Sequence, residues 1–153
     1  MTSLDATPPA VTLRECEHAD LDAVLALWRA ADAVVSPTDH LDALEQRLAH
    51  GDGLFLVADA AGRIVGTLIG GWDGWRAGLY RLAVHPEWRR QGIATRLIGE
   101  VEARLQRLGA QRISLRVFHE SPGAVELWSS VGYVPLPEES VFAKNLRQPP
   151  EAR

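Results

Sequence analysis

Residues 82–98 read LAVHPEWRRQGIATRLI, and this stretch decides how the rest of the chain is understood. A β-prone run ends at Val84 and His85-Pro86 stops it. Arg89, Arg90, Gln91 and Gly92 then lead into Ile93, Leu97, Ile98, Val101, Leu105 and Leu108, which trace one face of a long helix. Gly109 supplies its left-handed end. A helix start leaves backbone N–H groups unpaired and carries partial positive charge, so it binds phosphate well. Gly92 and Ala94 keep the first turn free of bulk, while Arg89 and Arg90 add charge-assisted donors. A basic surface helix start with no ligand has the same pattern. Two rival phosphate motifs are absent: the chain has no G-x-x-x-x-G-K-[ST] run, and no G-x-G-x-x-G between a strand and a helix.

Working outward, residues 11–14 alternate weakly as a first strand, and Asp20 stands as an N-cap before Leu21, Val24, Leu25 and Trp28 at helical spacing. Residues 34–40 contain Ser36-Pro37-Thr38 and read as a loop. Leu41, Leu44 and Leu48 mark a second helix closed by Gly51. Residues 54–59 and 63–72, joined by Ala60-Ala61-Gly62, read as an antiparallel hairpin, and residues 77–84 as the next strand. Beyond the long helix, residues 113–118 read as a strand and residues 122–131 as a short helix capped by Ser121. Residues 133–134 and 141–144 read as late strands. The order β-α-α-β-β-β-α-β-α-β-β predicts an α/β fold on a mixed sheet, without the alternation of a doubly wound one.

The chain has 153 residues, 46% of them hydrophobic, which suits one globular domain over residues 11–146 with flexible ends at 1–10 and 147–153. A net charge of −4 argues against nucleic-acid and anionic-membrane binding. The single cysteine, Cys16, excludes an intrachain disulfide framework and a Cys-rich zinc site, and no metal is expected. Cys16 reads as a packing residue. No apolar run approaches the ~18 residues of a membrane helix. The first residues carry neither a basic leader nor an apolar core, so a soluble cytoplasmic protein is expected.

The run R-R-Q-G-I-A, Arg89 to Ala94, resembles the Q/R-x-x-G-x-G/A signature of the GNAT superfamily of N-acetyltransferases. Downstream, S-P-G-A-V-E-L-W-S-S-V-G-Y, Ser121 to Tyr133, lies in register with the family's N-x-x-A-x-x-x-Y-x-x-x-G-F. The resemblance covers residues 11–144 and looks closest to the YpeA-type bacterial members. It implies a GNAT-like, mostly antiparallel sheet of six to seven strands flanked by about four helices, splayed between the fourth and fifth strands. It also implies acetyl-CoA as co-substrate and an amine as acceptor. Leu82, Ala83 and Val84 would pair with the pantetheine arm. The N–H groups of Arg90, Gln91, Gly92, Ile93, Ala94 and Thr95 would hold the pyrophosphate beside Arg89. Val84 N–H would be the oxyanion donor, and Ser121 and Trp128 would complete the cofactor site. The amine would attack the thioester with no covalent enzyme intermediate. Homodimers are common in the family.

The acid and base are where this sequence departs from the pattern. The family's acidic tyrosine is replaced by Trp128, whose indole cannot give up a proton at useful pH. Tyr133 and Tyr80 are replacement acids, and His85, Asp73, His119 and Glu120 are candidate bases, His85 first; each also has an ordinary turn, loop or packing role. For a cationic acceptor, Asp32, Ser36, Thr38, Asp39 and His40 fall by the inter-helix loop, with Trp72, Asp73 and Trp75 in a Gly-rich bend. Asp39 also reads as a helix cap, and Trp28 reads as core rather than pocket. The rival to an active enzyme is an acyl-CoA-binding module of the same fold with weak or lost catalysis.

Overall fold

The computed structural model describes residues 7–121 and 123–147. The chain divides after Ser114 into two compact units. The first contains β1 (Val11–Glu15), α1 (Leu21–Ala30), α2 (Leu41–Ala49), β2 (Phe55–Ala60), β3 (Arg63–Trp72), β4 (Ala77–Val84), α3 (Ile93–Leu108) and β5 (Ile113–Ser114). Its strands form one sheet in the order β1-β2-β3-β4-β5. Neighbours are antiparallel except β4 and β5, which are parallel, so the sheet is mixed. The second unit holds α4 (Ala124–Ser130).

Both faces of the sheet are covered, which is why β2 is apolar almost throughout. On one face Phe55, Val57, Ile64, Ile69 and Ala83 pack with Leu21, Val24, Leu27 and Trp28 of α1 and Leu44 of α2. On the other lies α3, whose buried stripe is Ile93, Leu97, Ile98, Val101 and Leu105. Two glycines of β3 set how near α3 comes. A Cβ on Gly66 would stand 3.1 Å from Ile93 Cγ2, and one on Gly70 only 2.7 Å from Val101 Cγ1. Gly109, at φ +106°, ends α3 as its sequence position predicts.

Local capping differs from expectation in two places. Asp20 does precede α1, but its carboxylate makes no cap there. It accepts instead from Glu17 N–H at 2.8 Å and from both Arg14 terminal nitrogens at 2.7 and 2.9 Å. At α2 the cap is His40, whose Nδ1 accepts from Ala43 N–H at 3.3 Å, and not Asp39.

The described residues contain five strands and four α-helices, not six to seven strands. The strand expected over residues 113–118 shrinks to Ile113–Ser114, because only Ala77↔Ile113 and Gly78↔Ser114 pair. Residues 133–134 and 141–144 are not in strands. Their side chains show the β-propensity that predicted them, yet Val134, Val141 and Phe142 are exposed and no ladder takes them up. Pro135 and Pro137 also remove two of the N–H groups a ladder would need. Helix α4 begins at Ala124 with Gly123, at φ +73°, as its N-cap, so Ser121 does not cap it by side chain. Pro122, where this helix was expected to start, lies outside the described residues, as do most of the terminal residues expected to be flexible.

Candidate active site

The end of β4 is irregular, and the irregularity shapes the site. Thr67 lies opposite Ala83 and Ile69 opposite Tyr80, so Leu68 alone faces both Arg81 and Leu82. That extra residue makes a β-bulge, and Arg81 absorbs it at φ +57°. A non-glycine residue there costs about 1–2 kcal/mol. Three contacts offset the cost. Thr67, fully buried, donates its hydroxyl to Arg81 C=O at 2.9 Å and accepts from Trp28 Nε1–H at 2.9 Å. The Arg81 guanidinium lies 5.2 Å from the centre of the Trp28 ring and is paired with Asp39. Asp39 in turn accepts from Ser36 N–H at 2.8 Å, tying the α1–α2 loop to the bulge.

Past the bulge, the direction of the backbone groups follows from the ladder. His85 N–H donates to Val65 C=O at 2.8 Å, and antiparallel pairs alternate between bonded and non-bonded. Thr67 and Ala83 therefore face each other, while Val84 turns its N–H and C=O to the opposite edge. Arg89 Nε meets that outward C=O at 3.3 Å. Pairing of β4 with β5 ends at Gly78, so among the described residues no strand takes up the edge from Leu79 to Val84. Val84 N–H is an outward donor on an open strand edge.

One turn links this edge to α3. Pro86–Trp88 form a 3-10 turn, Arg90 sits at φ +63° and Gly92 at φ +77°. Gly92 is the N-cap of α3, and no side chain caps the helix there. The space where its Cβ would project holds no atom within 4 Å. Arg89, Arg90, Gln91, Gly92 and Thr95 are exposed, Ala94 is half-buried, and Ile93 points into the core. The first N–H groups of α3 are thus open to an anion, with two arginines beside them.

The candidate acids and bases meet different fates. His85 has both ring nitrogens engaged: Nδ1 accepts from Glu87 N–H at 3.2 Å, and Nε2 lies 3.1 Å from Arg63 Nη2. Asp73 shapes the β3–β4 turn by accepting from Arg76 N–H at 2.6 Å and Trp75 N–H at 2.8 Å. Those two bonds hold its carboxyl below the usual carboxylate range, which makes it a weaker base. Tyr80 lies along Gly71 and Gly78 on the sheet surface and is largely exposed. Trp75 is exposed under the Arg76 guanidinium, 4.3 Å from its ring centre, and Trp72 is half-buried. Asp32 is exposed, as is Thr38, whose hydroxyl lies 3.2 Å from that of half-buried Ser36. Trp28 is core, as the sequence predicts.

Within the second unit, Trp128 is buried and Tyr133 packs edge-on against it, ring centres 5.1 Å apart at 76°. Tyr133 N–H donates to Trp128 C=O at 3.0 Å. His119 and Glu120 are exposed, and Ser121 C=O accepts from Ala124 N–H at 3.2 Å. Among the described residues no group of three or more His, Cys, Asp or Glu side chains could hold a metal, and no helix is long and apolar enough to cross a membrane.

Sequence reasoning missed Thr67 and Arg81. The only signal for Thr67 was a polar residue in an otherwise apolar strand, and a left-handed Arg81 carries no signal because such positions are normally Gly or Asn.

Residues 21–133 match the family model described as Acetyltransferase (GNAT) family. The chain is 36% identical over 121 residues to the acetyltransferase SG1711 of Sodalis glossinidius, covering 79% of this chain and 85% of that protein. It is 36% identical over 135 residues to the acetyltransferase plu1384 of Photorhabdus laumondii, covering 88% and 94%. Its fold is similar to that of the PaiA N-acetyltransferase of Thermoplasma acidophilum in complex with coenzyme A. There the TM-score is 0.73 at 18% identity, over 80% of this chain and 89% of that one. The matched span runs from α1 through the bulged β4 and the start of α3 to Tyr133. A match of that extent, joined to relatives this similar over most of their length, makes the chain a member of the GNAT acetyltransferase family.

Proposed function

We propose that this protein is an N-acetyltransferase that takes acetyl from acetyl-CoA and passes it directly to an amine of a small molecule or a protein. The observation that carries the reading is an outward Val84 N–H on an open strand edge, one short turn before an uncapped helix start flanked by Arg89 and Arg90. A thioester with a pyrophosphate tail needs both: a strand edge for the amide-bearing arm and a cluster of N–H groups for the phosphates. The coenzyme A in the Thermoplasma acidophilum structure supports the same assignment.

In this reading Leu82, Ala83 and Val84 form the strand edge beside the arm, and the residues from Arg89 to Thr95 grip the pyrophosphate. Val84 N–H donates to the thioester oxygen as negative charge develops there. The amine nitrogen forms the C–N bond, the C–S bond breaks, and the sulfur leaves as thiolate. The amine must first lose a proton, and Tyr133 supplies one to the thiolate as general acid, with Ser121 and Trp128 assigned to the cofactor on the family pattern. His85 acts as base only by releasing Glu87 N–H or Arg63. The span of the family model over both units supports treating residues 11–146 as one acetyltransferase domain, and a cytoplasmic setting suits the co-substrate.

The test is acetyl-CoA-dependent thiol release across a panel of small amines and peptide amino groups. Saturable, protein-dependent release supports the reading, and Tyr133→Phe then lowers kcat about 100-fold if its proton is used. Acetyl-CoA binding with no release on any amine favours the inactive module, which the tryptophan at position 128 motivates.

A further inference from the structure

The bulge in β4 has an owner outside β4. Thr67 is the one buried polar residue among the described side chains, and its hydroxyl is fully used. It receives the Trp28 indole proton at 2.9 Å, so its own proton is directed to Arg81 C=O, also at 2.9 Å. Arg81 is the residue at φ +57° whose insertion shifts the register ahead of Val84. Without the bulge β4 would be one residue out of step, and a one-residue slip exchanges inward and outward backbone groups. Val84 N–H would then face β3. Resting on the acetyl-CoA reading of this edge, we propose that Thr67 is a positioning residue for the acetyl group. Its hydroxyl, oriented by Trp28, holds the Arg81 carbonyl and thereby keeps Val84 N–H aimed at the thioester oxygen. The Arg81–Asp39 pair anchors the same residue from its side-chain end.

The contact is to the acetyl carbonyl and not to the nucleotide end, so the property that reports it is preference between ligands. Acetyl-CoA carries the carbonyl that Val84 N–H meets, whereas CoA shares only the pantetheine and pyrophosphate. The experiment measures Kd for both ligands by calorimetry on the full chain, together with melting temperature, for wild type, Thr67→Val and Thr67→Ser. Val keeps the shape and removes the hydroxyl; Ser keeps the hydroxyl and removes a buried methyl. The proposal expects wild type to favour acetyl-CoA. Thr67→Val should lose about tenfold in that preference with CoA affinity nearly unchanged, and Thr67→Ser should keep it even where its melting point falls further. If Thr67→Val does not fold, Thr67→Ala removes the same hydroxyl without placing a new methyl beside the indole, and is read identically. A wild-type preference in the hydroxyl-free variant overturns the proposal. So does a loss that follows melting temperature across both variants, and so does a wild type that binds both ligands equally. Wild type binding neither ligand overturns instead the acetyl-CoA reading on which the proposal rests.

Discussion

Replacing Gly92 by Asp and, separately, by Ala separates the backbone role of this residue from its place beside a ligand. Gly92 lies at φ +77°, so any L side chain there costs about 1–2 kcal/mol. No atom lies within 4 Å of the added Cβ, so no steric cost follows. Asp tolerates the left-handed region better than Ala and is a good helix cap, so the Asp variant should be no less stable than the Ala variant. Both should melt ~2–8 °C below wild type, at ~2–4 °C per kcal/mol for a chain of this size. Binding should diverge. A carboxylate ~5 Å from a phosphate charge is repelled by about 3 kcal/mol at an effective dielectric of ~20. It also competes for the N–H groups of α3. The Asp variant should therefore bind CoA about 100-fold more weakly than wild type, and the Ala variant less than tenfold. Calorimetry at fixed ionic strength reads both values. Equal affinity in the Asp and Ala variants would refute the placement of the pyrophosphate at this helix start.

Gly70→Ala forces a Cβ to within 2.7 Å of Val101 Cγ1 and should lower stability by about 1–3 kcal/mol by overpacking. Gly99→Ala, on the exposed side of α3 with no atom within 4 Å, should raise it by about 0.5–1 kcal/mol; urea unfolding of the pair checks both signs. Burial, with the nearby Asp20 charge, pushes the Cys16 thiol up to about 12, so the folded protein should resist iodoacetamide at pH 8 and react once unfolded. Because the folded value is raised, that group's contribution to stability is complete below its unfolded value of ~8.5 and disappears as pH rises through about 12. Arg14 holds Asp20 below the usual carboxylate range, so this contribution is present above the unfolded value of ~3.9 and is lost as pH falls through the lower native one. Asp20→Asn should cost about 1 kcal/mol at neutral pH and flatten the acid limb of a stability–pH curve.

What the sequence revealed and what it hid follow from the range over which each signal acts. Helix α3 was legible from end to end because its apolar stripe repeats along one segment and glycines stand at both ends. The hairpin of β2 and β3 was legible from its short turn, but its bulge between Ala58 and Asp59 was not, since alternation along one strand says nothing of its partner's register. Asp39 looked like a helix cap because it precedes Leu41, and its partner Arg81 stands 42 positions away. The arginines and Gly92 of the candidate site were readable as a motif. The support beneath the β4 bulge, Thr67 and Trp28, became visible only with α1 lying on β3. The late strands failed for a related reason: propensity prepares residues such as Val141 and Phe142 for a sheet but does not provide an edge.

The most direct test of the account is a thermal melt of the wild-type chain with and without excess acetyl-CoA. At ~100 times the dissociation constant, a ligand bound only by the folded state adds about 2.7 kcal/mol. For a chain of 153 residues that should raise the midpoint by ~5–10 °C. A midpoint unmoved at millimolar acetyl-CoA would contradict the assignment of this strand edge and helix start to the acyl donor.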